Sequence, residues 1–287
     1  MSNITNINPE AIRALALDLD GTTLAPGAVL KERTVRAVKK CMERGIRIII
    51  ATGRPPEAIE PFRSALGIQG PVICLNGAAV VNMPKDEILN STLLGKDLLE
   101  FCIDLSREMQ VFCLVFFPGS GLQADDSKIV FMGDLEGPKL DICFNEPGFR
   151  AELVDLKEML SRPGIKGCLK CMYYAEPKIL DIVRPRLHER LGESAYIVRS
   201  LPTYLEIMNV KVSKGQGLKF VMEHFSLKSE EVIAFGDEEN DLPMFCAAGF
   251  SAAPANAKEK VKAAASLVIG SNAEDGVAVF LEKFFGF

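Results

Sequence analysis

The chain has 287 residues, 48% of them hydrophobic and 25% charged, which is enough for one large or two ordinary domains. A net charge of −5 with no basic run argues against nucleic-acid or anionic-membrane partners, and no apolar stretch reaches the roughly 18 residues of a membrane span. The polar start MSNITNINPE carries no secretory pattern, and eight cysteines scattered through apolar segments read as buried thiols of a reducing compartment, so a cytoplasmic location is expected.

The first 80 residues alternate short apolar runs with helical patterns, as a parallel α/β sheet does. IRALALDL (12–19) is nearly continuous in apolar character and predicts a strand covered on both faces. A helix is expected over 31–44, with Val35, Val38, Cys41 and Met42 on one face and Gly45 as its cap. IRIIIAT (46–52) predicts a second strand, and the segment from Pro55 to Leu66 a helix kinked at Pro61. PVICLNGA (71–78) predicts a third strand. Right-handed crossovers then bring all three strand tips to one sheet edge, where folds of this kind bind ligands.

After about Met83 the texture changes. A helix is expected over 96–109, strands at 111–117 and 128–132, a helix near 150–160 and a strand at 167–175. A helix over 177–191 broken at Pro185 follows, then strands at 195–200 and 203–208. Strand pairs between helices indicate an α+β module with an antiparallel sheet. From Lys211 the earlier rhythm returns, with a helix at 215–225, a strand at 231–237, a helix at 240–248, a strand at 266–270 and a helix at 274–284. One domain, 1–83 with 209–287, is therefore expected to be interrupted by a second, 84–208. The single Cys-x-x-Cys pair, Cys168 and Cys171, falls in a strand, where residues three apart face opposite ways, so it is expected to be core and not a metal or redox site.

Polar residues break the apolar pattern at four strand ends. Asp18 and Asp20 project to the same side of an extended chain, and two carboxylates that close raise each other's pKa unless something compensates. Gly21 and Thr22 support a turn after them. Thr52, Gly53 and Arg54 end the second strand, Lys214 starts a helix, and GDEEND (236–241) puts Asp237 at a strand end with Asn240 and Asp241 opening the next helix. Each motif alone is a turn, a cap or a solvated charge. Together they offer carboxylates without histidine, a set suited to Mg2+, beside a lysine and a hydroxyl suited to a phosphate.

The motifs DLDGT, ATGR, NGA, VSKG and GDEENDLPMF, in this order and at these strand ends, resemble the haloacid dehalogenase-like (HAD) hydrolases, most closely the Cof-type, or type IIB, phosphatases. The resemblance covers about 10–82 and 209–287, together with the tail SNAEDGVA. It implies a Rossmann-like parallel-sheet core with the inserted α+β module as a cap that closes over the site and selects the substrate. It implies Asp18 as the nucleophile that becomes an aspartyl-phosphate, and Asp20 as the acid and then base. Magnesium is expected on Asp18, the carbonyl of Asp20 and Asp237, with Asp241 binding it directly or orienting a water. Thr52, Lys214 and Asn240 are expected to hold the phosphoryl oxygens, and Gly53, Arg54, Asn76 and Gly77 to line the entrance to the substrate site. Pro254 and Ala255 in APANA, and Pro243 and Phe245, depart from the commoner residues of that branch without touching an implied catalytic position. The expected activity is hydrolysis of a small phosphorylated metabolite. Transfer of the same aspartyl-phosphate to a second substrate, as in a phosphomutase, and binding without catalysis stand as alternatives, and the oligomeric state is open.

Overall fold

The computed structural model describes residues 7–119, 129–137 and 151–287. The described residues divide into two compact units, one running up to Pro55 with Ile59–Pro84 and Ser213–Phe287, the other Pro56–Ala58 with Lys85–Val212. In chain order the first unit supplies β1 (Ala14–Leu17), α1 (Glu32–Glu43), β2 (Arg47–Ile50), most of α2 (Pro56–Leu66), β3 (Gly70–Cys74) and β4 (Ala79–Met83). The second supplies β5 (Glu87–Ser91), β6 (Leu94–Gly95), α3 (Lys96–Glu108), β7 (Phe112–Pro118), β8 (Ile129–Asp134), β9 (Glu152–Val154) and α4 (Leu156–Ser161). It continues with β10 (Gly167–Cys168), β11 (Lys170–Tyr174), α5 (Pro177–Leu191), β12 (Ala195–Leu201) and β13 (Tyr204–Asn209). The chain then returns to the first unit with α6 (Lys214–His224), β14 (Val232–Phe235), α7 (Leu242–Ala247), β15 (Phe250–Pro254), α8 (Glu259–Ala264), β16 (Leu267–Ile269) and α9 (Gly276–Phe285).

The core sheet of the first unit is parallel throughout, in the order β16-β15-β14-β1-β2. All four residues of β1 and of β14 are buried, as central strands covered by helices on both faces must be. Ala16, Ile49, Ala234 and Ala253 pack with Leu218, Val221 and Met244, so small alanines on the strands let α6 and α7 approach the sheet closely. Full burial of a side chain such as Leu15 or Leu17 contributes about 1.5–3 kcal/mol, and this core fixes where the strands end. β14 and β1 lie side by side in register Leu17 to Phe235, so Asp18, the residue after β1, and Asp237, two residues past β14, emerge together.

Several elements differ from the sequence expectation. The predicted strand 71–78 is β3, a turn over Leu75–Gly77, and β4 running back antiparallel; β3 joins β2 only through a parallel bridge between Ala51 and Ile73. Residues 250–254 form a fifth core strand, β15, that its alanines and Pro254 disguise, and α8 follows it. The helix expected to break at Pro185 runs unbroken from Pro177 to Leu191, since proline removes only one donor while Leu180, Val183, Leu187 and Leu191 bury a continuous face. Pro61 likewise lies inside α2.

The second unit has a six-stranded sheet, β12-β13-β11-β7-β8-β9, antiparallel except for its parallel β8–β9 edge. Cys113, Val115, Phe117, Tyr173, Leu205 and Ile207 alternate onto one face and pack against α3 and α5. The predicted strand 167–175 is two strands, β10 pairing with β6 and β11 lying in the large sheet. Cys168 and Cys171 are fully buried, burial pushes both thiols up, and Cys171 Sγ lies 3.6 Å from Cys113 Sγ. The strand expected at 128–132 and the helix near 150–160 correspond to β8 and α4, with residues 128 and 150 outside the described ones. Among the described residues no helix is long and apolar enough to cross a membrane.

Arg107 on α3 grips Asp134 with two hydrogen bonds of 2.7 and 2.8 Å and reaches Asp155, the N-cap of α4, at 2.7 Å. Asp134 is 1% exposed. Arg107→Ala strands a buried carboxylate and is expected to lower stability by about 3 kcal/mol in urea unfolding. Arg186→Ala, which breaks a surface pair with Glu108, is expected to change little. Equal effects of the two substitutions would contradict this account.

Candidate active site

Asp18 continues the extended line of β1, its N–H donating to Phe235 O at 3.1 Å, and the chain then turns. The turn is closed by Leu24 N–H on Leu19 O (2.8 Å) and by the Thr23 hydroxyl on Asp18 O (2.5 Å). Gly21 takes φ 76°, and a Cβ there would stand 2.2 Å from Asp237 Oδ2. Only glycine therefore lets the loop after β1 approach the tip of β14 this closely.

Lys214 is the first residue of α6, whose N-cap Ser213 accepts from Gln216 N–H. Its ammonium, 2% exposed, donates to Asp18 Oδ1 at 2.5 Å and to Asp241 Oδ1 at 2.7 Å. Asp241 Oδ2 accepts from the N–H groups of Asp237 and Glu238 at 2.9 and 3.0 Å, so both of its oxygens are engaged. Asp237 Oδ1 accepts from the Thr22 hydroxyl at 2.6 Å. Asp18, Asp237 and Asp241 each bring a carboxylate oxygen within 4.8 Å of the others.

Burial pushes Asp18 well up from the usual carboxylate range, with Asp241 and Asp237 adding to it against the pull of Lys214. Burial also raises Asp237, to about 6, helped by Asp241 and opposed by the Thr22 hydrogen bond. For Lys214 burial acts to lower the pKa, but the charges of Asp18 and Asp241 outweigh it and hold the ammonium protonated. When all three are ionised, three carboxylates around one ammonium leave two surplus negative charges, which one divalent cation would balance. The donors are all oxygen. The set fits a hard divalent ion.

The remaining expected residues form two smaller groups. Arg54 holds Asp20, with Nε to Oδ2 at 2.8 Å and Nη2 to Oδ1 at 2.7 Å, while its guanidinium lies 5.1 Å from the Phe62 ring centre. The Asp20 side chain thus points to Arg54 and is not one of the three clustered carboxylates. Asn240 Nδ2 donates to Asn76 Oδ1 at 2.9 Å, and Gly53 packs against that same Asn76 amide. Thr52 is buried, its hydroxyl accepting from Arg54 N–H at 3.2 Å, and Gly77 backs onto Ser213. Two asparagines that sequence reasoning gave no role also support the loop after β1. Asn256 donates to Gly21 O at 2.8 Å, and Asn272 donates to Leu24 O at 2.8 Å and ties its own N–H to Asn256. The only signal for them was a lone asparagine in the otherwise apolar APANA and one in the polar stretch SNAEDG.

A cation must displace the proton that Asp237 carries below about pH 6 in the metal-free protein. Divalent-ion affinity, followed by calorimetry, is therefore expected to fall by about tenfold or more per pH unit below pH 6. An affinity unchanged between pH 5 and 7 would contradict the placement of Asp237 in the cation site.

The haloacid dehalogenase-like hydrolase family model matches residues 15–281. A pyridoxal phosphate phosphatase from Escherichia coli is 29% identical over 269 residues, covering 94% of this chain and 97% of that protein. A chloroplastic endoribonuclease from Arabidopsis thaliana is 28% identical over 277 residues, and there the match spans 93% of this chain but only 45% of the longer relative. Among solved structures, a haloacid dehalogenase-like hydrolase from Bacteroides thetaiotaomicron superposes with a TM-score of 0.77 at 26% identity, covering 96% of this chain and all of that one. A HAD subclass IIB sugar phosphatase shares the fold at a TM-score of 0.71 and 21% identity, covering 96% of this chain and 99% of that one. With its parallel core sheet, its second α+β unit and a family match over nearly its whole length, the chain belongs to the haloacid dehalogenase-like hydrolases, in the type IIB architecture.

Proposed function

We propose that the protein is a Mg2+-dependent phosphatase that hydrolyses a small phosphorylated metabolite through an aspartyl-phosphate on Asp18. The observation that carries this reading is the buried contact of Lys214 with Asp18 inside a cluster of three carboxylates. A structural ion pair needs two charges. Four on one strand edge, with two negative charges left over, suit a site that awaits a cation and a phosphoryl group. Relatives that carry the family pattern include phosphatases named for pyridoxal phosphate and for sugars, which supports the reaction class and leaves the leaving group open.

In this reading an Asp18 oxygen attacks phosphorus, and the ester oxygen leaves with a proton from Asp20. Asp20 then takes a proton from water, whose oxygen attacks the phosphorus of the acyl phosphate, releasing inorganic phosphate and restoring Asp18. Arg54 holds Asp20 by both oxygens in the resting site, so the pair has to part for Asp20 to serve the leaving group. Lys214, Thr52 and Asn240 bind the phosphoryl oxygens and offset their charge. Asp18, Asp237 and the Asp20 carbonyl would hold Mg2+, which would supply Lewis-acid polarisation of the phosphoryl group. Asp241, with both oxygens engaged, anchors Lys214 and the 237–238 turn. The inserted module expected over 84–208, nearly all of it in the second unit, acts in this reading as the cap that selects the substrate.

Phosphate release from a panel of phosphorylated metabolites tests the reaction. Release with Mg2+ is expected to vanish with EDTA and to fall roughly a thousandfold or more in Asp18→Asn, with its fold intact by circular dichroism. Turnover near normal in Asp18→Asn would refute the assignment of the nucleophile.

A further inference from the structure

Asn76 does more than its expected place at the entrance describes. We infer that it is a positioning residue, which orients the Asn240 amide toward the phosphoryl group and locks the segments carrying Thr52 and Lys214 around it. The inference rests on the phosphoryl-site reading given above.

The backbone gives the first sign. Leu75 and Asn76 adopt φ of 50° and 58°, and Gly77 follows at 96°. Two successive left-handed residues other than glycine are uncommon, and such backbone persists only where its surroundings over-determine it. Here they do. Leu75 N–H donates to Arg54 O at 3.1 Å, Asn76 N–H to Thr52 O at 3.0 Å and Ala78 N–H to Leu75 O at 3.0 Å. On the other side Gly77 lies so close to the start of α6 that a Cβ would stand 2.1 Å from Ser213 O and 3.2 Å from Lys214 N. One turn therefore grips both the Thr52 segment and the helix end that bears Lys214.

The side chain adds the third connection. Asn76 is 7% exposed, which suits it poorly to meeting a mobile substrate. Its Oδ1, which can only accept, takes one of the two Asn240 amide protons at 2.9 Å. That contact fixes which edge of the Asn240 amide faces which way and leaves the second proton for another acceptor. It also leaves Asn240 Oδ1 buried without a hydrogen-bond partner. An amide held with its oxygen orphaned is constrained by its neighbour, and the neighbour is Asn76. Gly53 completes the fit, since a Cβ there would come 3.1 Å from Asn76 Oδ1.

The test is calorimetric binding of inorganic phosphate to the full chain with Mg2+, which reads the phosphoryl site without turnover. Asn76→Gly permits the left-handed backbone and removes the side chain with its amide. It is expected to weaken phosphate binding about tenfold, as Asn240→Ala does, and the double variant is expected to bind no more weakly than Asn240→Ala alone. Losses that multiply to about a hundredfold in the double variant, or wild-type affinity in Asn76→Gly, would overturn the inference. Should melting show Asn76→Gly unfolded, Gly53→Ala crowds the same amide with Asn76 kept. Its weakening should disappear in the Asn240→Ala background; a weakening that persists there, or none at all, overturns the inference. No phosphate binding by the unsubstituted protein would instead remove the phosphoryl-site reading and this inference with it.

Discussion

The ammonium of Lys214, sealed between Asp18 and Asp241, is the interaction on which the site depends. Without it three carboxylates would face one another in a buried space, each disfavouring the ionisation of the next. With it, Asp241 is fixed as the strut between α6 and the 237–238 turn, and Asp18 is held at the end of β1 with its charge partly balanced. The balance is incomplete by two charges. That deficit supports the proposed cation site, because a divalent cation would offset charge that burial disfavours.

The geometry follows from the parallel sheet. β1 and β14 are neighbours in register, so Asp18 and Asp237 leave the sheet side by side although 219 positions separate them in the chain. The glycine after Asp20 then lets the first loop close onto Asp237, and Asn256 and Asn272 pin it from the far end of the chain. Long-range packing thus places the carboxylates, and short turns aim them. The second unit has its own core around α3, α5 and the six-stranded sheet, with the Arg107–Asp134 pair as its polar fastening.

Much of this was legible in the sequence because strands buried on both faces announce themselves as apolar runs, and polar residues at their ends stand out. Asp18, Lys214, Asp237 and Asp241 were read in that way, and the structure brings them into one cluster. What escaped were features that carry no such contrast. β15 is built of alanines and ends in proline, so neither propensity nor periodicity marks it. The Leu75–Gly77 turn hides inside an apolar run, and its left-handed backbone exists only because Thr52, Arg54 and Ser213 surround it. Pro185 misled in the opposite sense, since a local helix-breaker was overruled by the face that α5 buries. The pairing of Arg54 with Asp20 was invisible for a related reason: nothing local in either motif says that they meet.

The central claim is that Asp18 becomes covalently phosphorylated. The most direct measurement is acid quenching of a single turnover with radiolabelled substrate, followed by mapping of the labelled peptide. The account predicts transient label on the peptide that contains Asp18, sensitive to hydroxylamine as an acyl phosphate is, and absent in Asp18→Asn. Phosphate release in a single turnover with no labelled protein at any quench time, or label on a different residue, would contradict it.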